Sequence, residues 1–206
     1  MKPWVLVPVK RFTGSKSRLS GTLDSPSRFE FAVALFDHVV RTVAVPLCQT
    51  GDLGGVLVVT DGQDVARRAD ESGAASLVIP GVETGRPLGR VVDEGLQFLT
   101  TRGADCALVI MGDLPFLTQG DITSLTNLLK SHDLVFAPDT AGTGTNALAL
   151  RLPPPMSTQF CGGKSLRPHT DLATSLGLTF TLCEREGFAL DVDQPEDYAR
   201  LMTSRL

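Results

Sequence analysis

Apolar residues fall along this chain in short continuous runs, separated by longer stretches where they recur every three or four positions. Val5–Val9 (VLVPV), Gly55–Thr60 (GVLVVT), Ser76–Pro80 (SLVIP), Cys106–Met111 (CALVIM) and Leu134–Ala137 (LVFA) are continuous rather than alternating. That pattern predicts strands buried on both faces, as in a parallel sheet covered by helices. Asn146–Arg151 and Leu178–Cys183 are further strand candidates with weaker alternation. Between them, Ser27–Val45, Gln63–Ser72, Gly89–Thr101, Thr118–Ser131, Asp171–Ser175 and Gln194–Thr203 have helical periodicity. In the first, Phe29, Val33, Phe36, Val40 and Val43 form one stripe. Thr118 offers a hydroxyl cap before Asp121, and Gln194–Pro195 begin a helix with Glu196 and Asp197 beside its positive end. Strands alternating with helices predict an α/β fold, a three-layer α/β/α sandwich on a mixed, mostly parallel sheet, forming one domain over residues 1–206.

In such sheets ligands sit beyond the carboxyl ends of the strands, so the residues just after each strand carry the chemistry. Lys10–Ser20 (KRFTGSKSRLS) follows the first strand with four cations, a glycine and four hydroxyls. It is either a phosphate-wrapping loop, with Lys16 and Arg18 neutralising charge, or a solvated basic loop. It is neither a GxxxxGK[ST] loop nor a GxGxxG fingerprint. After Cys106–Met111 comes GDLP, which puts Asp113 at the end of a buried strand, an expensive place for a carboxylate unless it is paired or holds a cation. Gly112 allows close backbone approach there. Near the end, Asp191 and Asp193 of ALDVDQPED alternate with Leu190 and Val192, so both point to one side of an extended segment. With Asp113 they suit a hard divalent ion, although Asp193 is equally placed to cap the next helix.

Two further segments read as anion contacts. GTGTN, with Gly142, Gly144 and the hydroxyls of Thr143 and Thr145, is either an anion-binding turn or a plain hairpin turn. FCGGKSLRPH brings Gly162, Gly163, Lys164, Ser165 and Arg167 together as a second candidate cradle. His169, beside Pro168, reads as a surface or capping residue rather than a general base, and His38 and His132 receive no role.

Composition narrows the reading. The chain has 206 residues, 42% hydrophobic and 20% charged, which excludes a mostly disordered chain. Its net charge of −4 excludes nucleic-acid binding by bulk electrostatics, so an anionic ligand must be held by local positive charge. No run of 18 consecutive apolar residues is present for a membrane span. The apolar part of MKPWVLVPVK is too short for a signal peptide, and the expectation is a cytoplasmic protein. Cys48, Cys106, Cys161 and Cys183 are scattered, and read as mostly buried thiols in a reducing compartment. Neither GxSxG nor a defensible Cys–His pattern is present. Two anion cradles and a carboxylate trio suggest two phosphorylated ligands meeting at magnesium, with transfer by positioning and charge neutralisation.

PVK-x5-KSRL, MGDLP, APD-x3-GTGTNAL, F-x-GG-x-S-x3-H and LDVDQPED, in this order over about residues 5–203, resemble the 2-phospho-L-lactate guanylyltransferases of coenzyme F-420 biosynthesis. The resemblance implies a glycosyltransferase-A-like nucleotidyltransferase fold, similar to the nucleotide-diphospho-sugar transferases. It implies transfer of GMP from GTP to the phosphate of a three-carbon phosphorylated acid, with release of pyrophosphate. Family members differ in using 2-phospho-L-lactate, phosphoenolpyruvate or 3-phospho-D-glycerate, and the product passes to a downstream transferase of the pathway. Carried over by motif, Lys10, Lys16 and Arg18 would hold the GTP triphosphate. Asp113 and one of Asp191 or Asp193 would bind magnesium, and Thr145, Gly162 and Ser165 the phosphorylated acid. Gly89 and Arg90 stand where many relatives carry an Asn-containing motif, which leaves the base contacts open. A related molybdopterin or sugar-phosphate nucleotidyltransferase and a non-catalytic nucleotide-binding domain are the alternatives. A homodimer is left open.

Overall fold

The computed structural model describes residues 2–79 and 86–204. Seven strands form one sheet in the order β3-β2-β1-β4-β6-β5-β7. They are β1 (Trp4–Val9), β2 (Gly55–Thr60), β3 (Ala75–Val78), β4 (Cys106–Ile110), β5 (Leu134–Pro138), β6 (Thr145–Arg151) and β7 (Phe180–Leu182). Every expected strand is present, with ends shifted by a residue or two; Pro80, assigned to the third, lies outside the described residues. β1, β2, β3 and β4 pair in parallel, as do β5 and β7, whereas β6 runs antiparallel to both β4 and β5. The sheet is therefore mixed and mostly parallel.

The continuous apolar runs are explained by burial on both sides. Val5, Val7, Val58, Leu108, Ile110 and Val135 face one helical layer, while Leu6, Leu57, Val59, Val109, Phe136 and Leu148 face the other. The first layer holds α1 (Ser25–Asp37), a π-helical stretch (His38–Ala44), α2 (Val45–Gln49), α3 (Gln63–Glu71) and α5 (Gln119–Leu128). The second holds α4 (Leu88–Thr101) and α6 (Leu166–Ser175). Two more helices, α7 (Glu186–Ala189) and α8 (Pro195–Ser204), follow β7. Gly95 lets α4 lie directly on the sheet: a Cβ there would come within 2.6 Å of Leu6 and 2.8 Å of Val59.

Several helices differ from expectation. The first starts two residues early because Asp24 accepts the N–H of Ser27 and Pro26 sits in the first turn. It continues past Val45, since Pro46 falls in the first turn of α2, where no N–H is needed. Ser25–Gln49 is thus a 25-residue helical run of hydropathy 1.6, apolar enough by length and composition to span a membrane although the sequence holds no unbroken apolar run of 18 residues. Its apolar side is the core: Phe36, Val39, Val40 and Ala44 are fully buried against the sheet. Phe29, assigned to the buried stripe, is instead 41% exposed, since Ala32 and Leu35 turn inward. α6 begins five residues before Asp171, with Pro168 in its first turn. α5 starts as expected, with Thr118 and Asp121 forming a reciprocal capping box. Of the cysteines, Cys106 and Cys183 are buried, Cys48 is half-buried and Cys161 is exposed.

β6 contains the one irregularity that matters for the site. Ala137 pairs with Ala147 but Pro138 pairs with Thr145, so Asn146 is an extra residue, a β-bulge. The bulge stands at the edge where β1, β4 and β5 end, because the reversed strand begins there.

Candidate active site

Asp113 lies just beyond β4, held close to β1 because Gly112 has no side chain: a Cβ there would lie 2.7 Å from Val9. Asp191 and Asp193 arrive from the extended segment between α7 and α8, pinned by buried Leu190 and Val192, which pack with Leu35 and Leu201. One carboxylate oxygen from each of the three lies within 4.8 Å of the others. Burial, followed by the neighbouring Asp113, raises the pKa of Asp191 above the usual carboxylate value. Asn146 Nδ2 reaches Asp191 Oδ1 at 3.3 Å and is anchored by the carbonyl of Phe188 at 2.8 Å. Three hard oxygen donors with excess negative charge fit a magnesium ion, which is usually held by one or two carboxylates plus phosphate and water.

Among the described residues Asp193 accepts no N–H from α8; Asp197, in that helix's first turn, accepts the N–H groups of Asp193 and Gln194 just before it. The Asp193 side chain turns to the basic loop instead.

That loop is built, not merely solvated. Arg11 N–H donates to Asp61 Oδ1 at 2.8 Å and Phe12 N–H to Asp64 Oδ2 at 3.2 Å, tying the loop to the segment after β2. Phe12 anchors it by edge-on contacts with Phe29 and Phe36. Lys16 then adopts the left-handed conformation, φ 51°, the one such non-glycine among the described residues. A 3-10 turn, Ser17–Leu19, follows. Lys16 Nζ donates to Asp113 Oδ2 at 2.7 Å and Asp193 Oδ1 at 2.9 Å. Burial acts to lower its pKa, but the Asp113 and Asp193 carboxylates carry it well above the ordinary lysine value. Arg18 lies 3.7 Å from Asp193 and is largely exposed. Lys10 is exposed and makes no ion pair among the described residues.

On the opposite side of β6, the GTGTN turn and the GGKS loop dock on each other. Thr143 Oγ1 donates to the carbonyl of Gly163 at 3.0 Å, and Leu166 N–H to the carbonyl of Thr143 at 2.9 Å. Asp139 closes the turn by accepting the Thr143 N–H at 2.8 Å. Thr145 and Ser165 are nearly closed to solvent, at 4% and 2% exposure, while Gly162 is exposed with φ +68°. Lys164 and Arg167 do not join them; both line an outer cavity of about 620 Å³ with Thr143, Phe180 and Leu182.

His169 corrects the sequence reading most sharply. It is wholly buried rather than a surface or capping residue, because α6 starts early enough to aim it inward. Thr145 Oγ1 is 3.2 Å from its Nδ1, and the N–H of Gln159 donates to its Nε2 at 2.8 Å. Asn146 was equally hidden in the sequence, where it reads as an ordinary strand residue; the GTGTN turn beside it was the available signal.

The structure thus brings Lys16, Arg18, Asp113, Asp191 and Asp193 to one cluster and sets Thr145 and Ser165 against His169 across β6, with Gly162 exposed on the loop before Ser165. Residues 3–204 match the family model described as "Guanylyl transferase CofC like". The phosphoenolpyruvate guanylyltransferase of Sphaerobacter thermophilus is 35% identical over 198 residues, covering 95% of this chain and 90% of that one. That of Rubrobacter xylanophilus is 36% identical over 205 residues, covering 99% and 95%. The 2-phospho-L-lactate guanylyltransferase of Methanothermobacter thermautotrophicus is 32% identical over 202 residues, covering 98% and 85%. Among solved structures, one from Desulfovibrio desulfuricans G20, described as a nucleotide-diphospho-sugar transferase, superposes with a TM-score of 0.77 at 16% identity, covering 100% of this chain and 88% of that one. That likeness fixes the fold alone.

Proposed function

This chain belongs to the CofC-like guanylyl transferases, and from that membership we propose how its two clusters share the work of joining two phosphorylated reactants. The enzyme transfers GMP from GTP to the phosphate of a three-carbon phosphorylated acid in coenzyme F-420 biosynthesis. An oxygen of the acid's phosphate attacks the α-phosphorus of GTP and forms a new P–O bond. The bond from that phosphorus to the bridging oxygen breaks, and pyrophosphate leaves with the electron pair.

Two anions must meet, so the site's task is charge neutralisation and alignment. Lys10, Lys16 and Arg18 hold the triphosphate. Asp113 and Asp191 hold magnesium, which when bound neutralises phosphate charge. Asp193, already matched by Lys16 and Arg18, orients those cations. Thr145, Gly162 and Ser165 hold the acid's phosphate with neutral donors, which orient an anion without trapping the product by charge. The acid is drawn from the class named in the relatives: phosphoenolpyruvate, as in the Sphaerobacter and Rubrobacter enzymes, is the first to try. Residues 1–206 act as one nucleotidyltransferase domain in the cytoplasm, and a downstream transferase consumes the product.

The observation carrying this reading is the convergence of Asp113, Asp191 and Asp193 within 4.8 Å, with the Lys16 ammonium between two of them. The test is incubation with GTP and magnesium and three acids in competition: phosphoenolpyruvate, 2-phospho-L-lactate and 3-phospho-D-glycerate. Expected is pyrophosphate with one guanosine diphospho-acid dominant by mass. No pyrophosphate with any acid would overturn it.

A further inference from the structure

The contact between Thr145 and His169 decides something that distances alone do not: which way a hydroxyl hydrogen points. The His169 ring is immobilised, stacked on Phe136 with centroids 5.4 Å apart and edge-on to Phe160 at 4.8 Å. Its Nε2 faces the backbone nitrogen of Gln159 at 2.8 Å. A backbone N–H only donates, so Nε2 is the bare, accepting nitrogen, and the neutral ring carries its hydrogen on Nδ1. The other tautomer, or a doubly protonated ring, would set two N–H groups against each other. Burial holds the His169 pKa down at about 4, against the backbone of Ser165, whose contact with the ring raises it. The side chain facing Nδ1 is Thr145, whose Oγ1, 3.2 Å away, accepts from Nδ1–H. With one lone pair of that oxygen occupied, the hydroxyl hydrogen is turned away from the ring.

We propose that His169 is a positioning residue for the acceptor: through Nδ1–H it fixes the Thr145 hydroxyl as a hydrogen-bond donor toward the phosphate of the incoming acid. The inference rests on the placement of that acid at Thr145. It explains why a buried histidine with no catalytic contact is tied to the GTGTN turn. A hydroxyl free to rotate would present a lone pair to the anion part of the time; this one presents its hydrogen. Because the ring is neutral, it sets direction without adding charge to the site.

The test uses steady-state kinetics with GTP, magnesium and phosphoenolpyruvate on Thr145→Val, His169→Asn, His169→Gln and the Thr145→Val/His169→Gln double variant, with Tm for each. Asn places its amide near Nδ1 and keeps a donor to Thr145; Gln places its amide near Nε2 and does not. Thr145→Val and His169→Gln should each raise KM for the acid roughly tenfold and leave KM for GTP unchanged. His169→Asn should stay within about threefold of wild type, and the double variant should be no worse than Thr145→Val alone. Additive losses, or equal losses in the Asn and Gln variants, would overturn the inference. An acid KM untouched by Thr145→Val strikes the placement of the acid instead. The ring itself gives a reading in the wild-type protein: ¹⁵N NMR should show a protonated Nδ1 and a bare Nε2 for the signal absent from His169→Asn, and a bare Nδ1 would refute the proposal.

Discussion

Lys16 Nζ lies 2.7 Å from Asp113 Oδ2, although 97 positions separate the two residues. The same ammonium also meets Asp193, so one buried cation links the loop after the first strand to the two carboxylate motifs. Removing Lys16 strips Asp113 of this cation in a half-buried site, whereas removing Asp113 leaves Lys16 still paired with Asp193.

Asp113→Asn should therefore keep the fold and lose roughly a hundredfold or more in turnover, the scale typical of one lost electrostatic stabiliser. Chelating divalent metal should abolish activity in the wild type, and added magnesium should restore it. Turnover of Asp113→Asn near wild type at saturating magnesium would remove the metal role.

Lys16→Ala and Arg18→Ala separate two cations of the same loop. Lys16 is buried and twice paired, whereas Arg18 is largely exposed and 3.7 Å from one carboxylate. A charge-assisted bond is worth about 1.5–3 kcal/mol, so Lys16→Ala should cost on the order of ten- to a hundredfold in kcat/KM for GTP. Arg18→Ala should cost less than about tenfold. Equal losses would show that both reach the triphosphate on the same footing.

Asp191→Asn should improve the metal-free protein while disabling the enzyme. Burial and Asp113 disfavour the ionised form of Asp191, whereas the bond from Asn146 survives in the amide. Differential scanning calorimetry without metal should give a Tm higher by a few degrees. A lower Tm would mean that its charge is matched in the folded state.

His169 predicts an acid-side loss of stability. The unfolded chain takes up a proton near pH 6.5 that the folded protein resists down to about pH 4. Between those values the unfolded state binds more protons, so stability falls as pH falls. The penalty is absent above about 6.5 and reaches on the order of 3 kcal/mol below about 4, at about 1.4 kcal/mol per unit. His169→Phe should flatten the Tm curve across that window; parallel curves for the two proteins would contradict it.

Much of this was legible in the chain because strands buried on both faces leave an unambiguous signature. Val5–Val9 and Cys106–Met111 read as continuous apolar runs, and Thr118 with Asp121 as a helix start. The three aspartates were legible because carboxylates after apolar strands need a reason. What was hidden depends on contacts between distant segments. No local pattern announces that Lys16 will leave solvent for Asp113. Pro168 beside His169 resembles a surface turn until α6 is seen to begin at Leu166. Asn146 reads as strand, since a bulge is set by its neighbours' register and not by its own identity.

That bulge has a consequence for the two reactants. In a regular ladder Thr145 and Ala147 would share a face, and Ala147 packs in the layer that contains Phe188. The added residue breaks this parity. Asn146, which a regular ladder would turn to the opposite face, lies on the carboxylate side with Phe188 and Asp191, while Thr145 swings across to His169. A single strand thus serves both faces of the sheet at the edge where ligands bind: Asn146 supports the carboxylates on one, and Thr145 meets His169 on the other. In a register without the bulge the two would change places, Thr145 turning to the layer of Phe188 and Asn146 to that of His169.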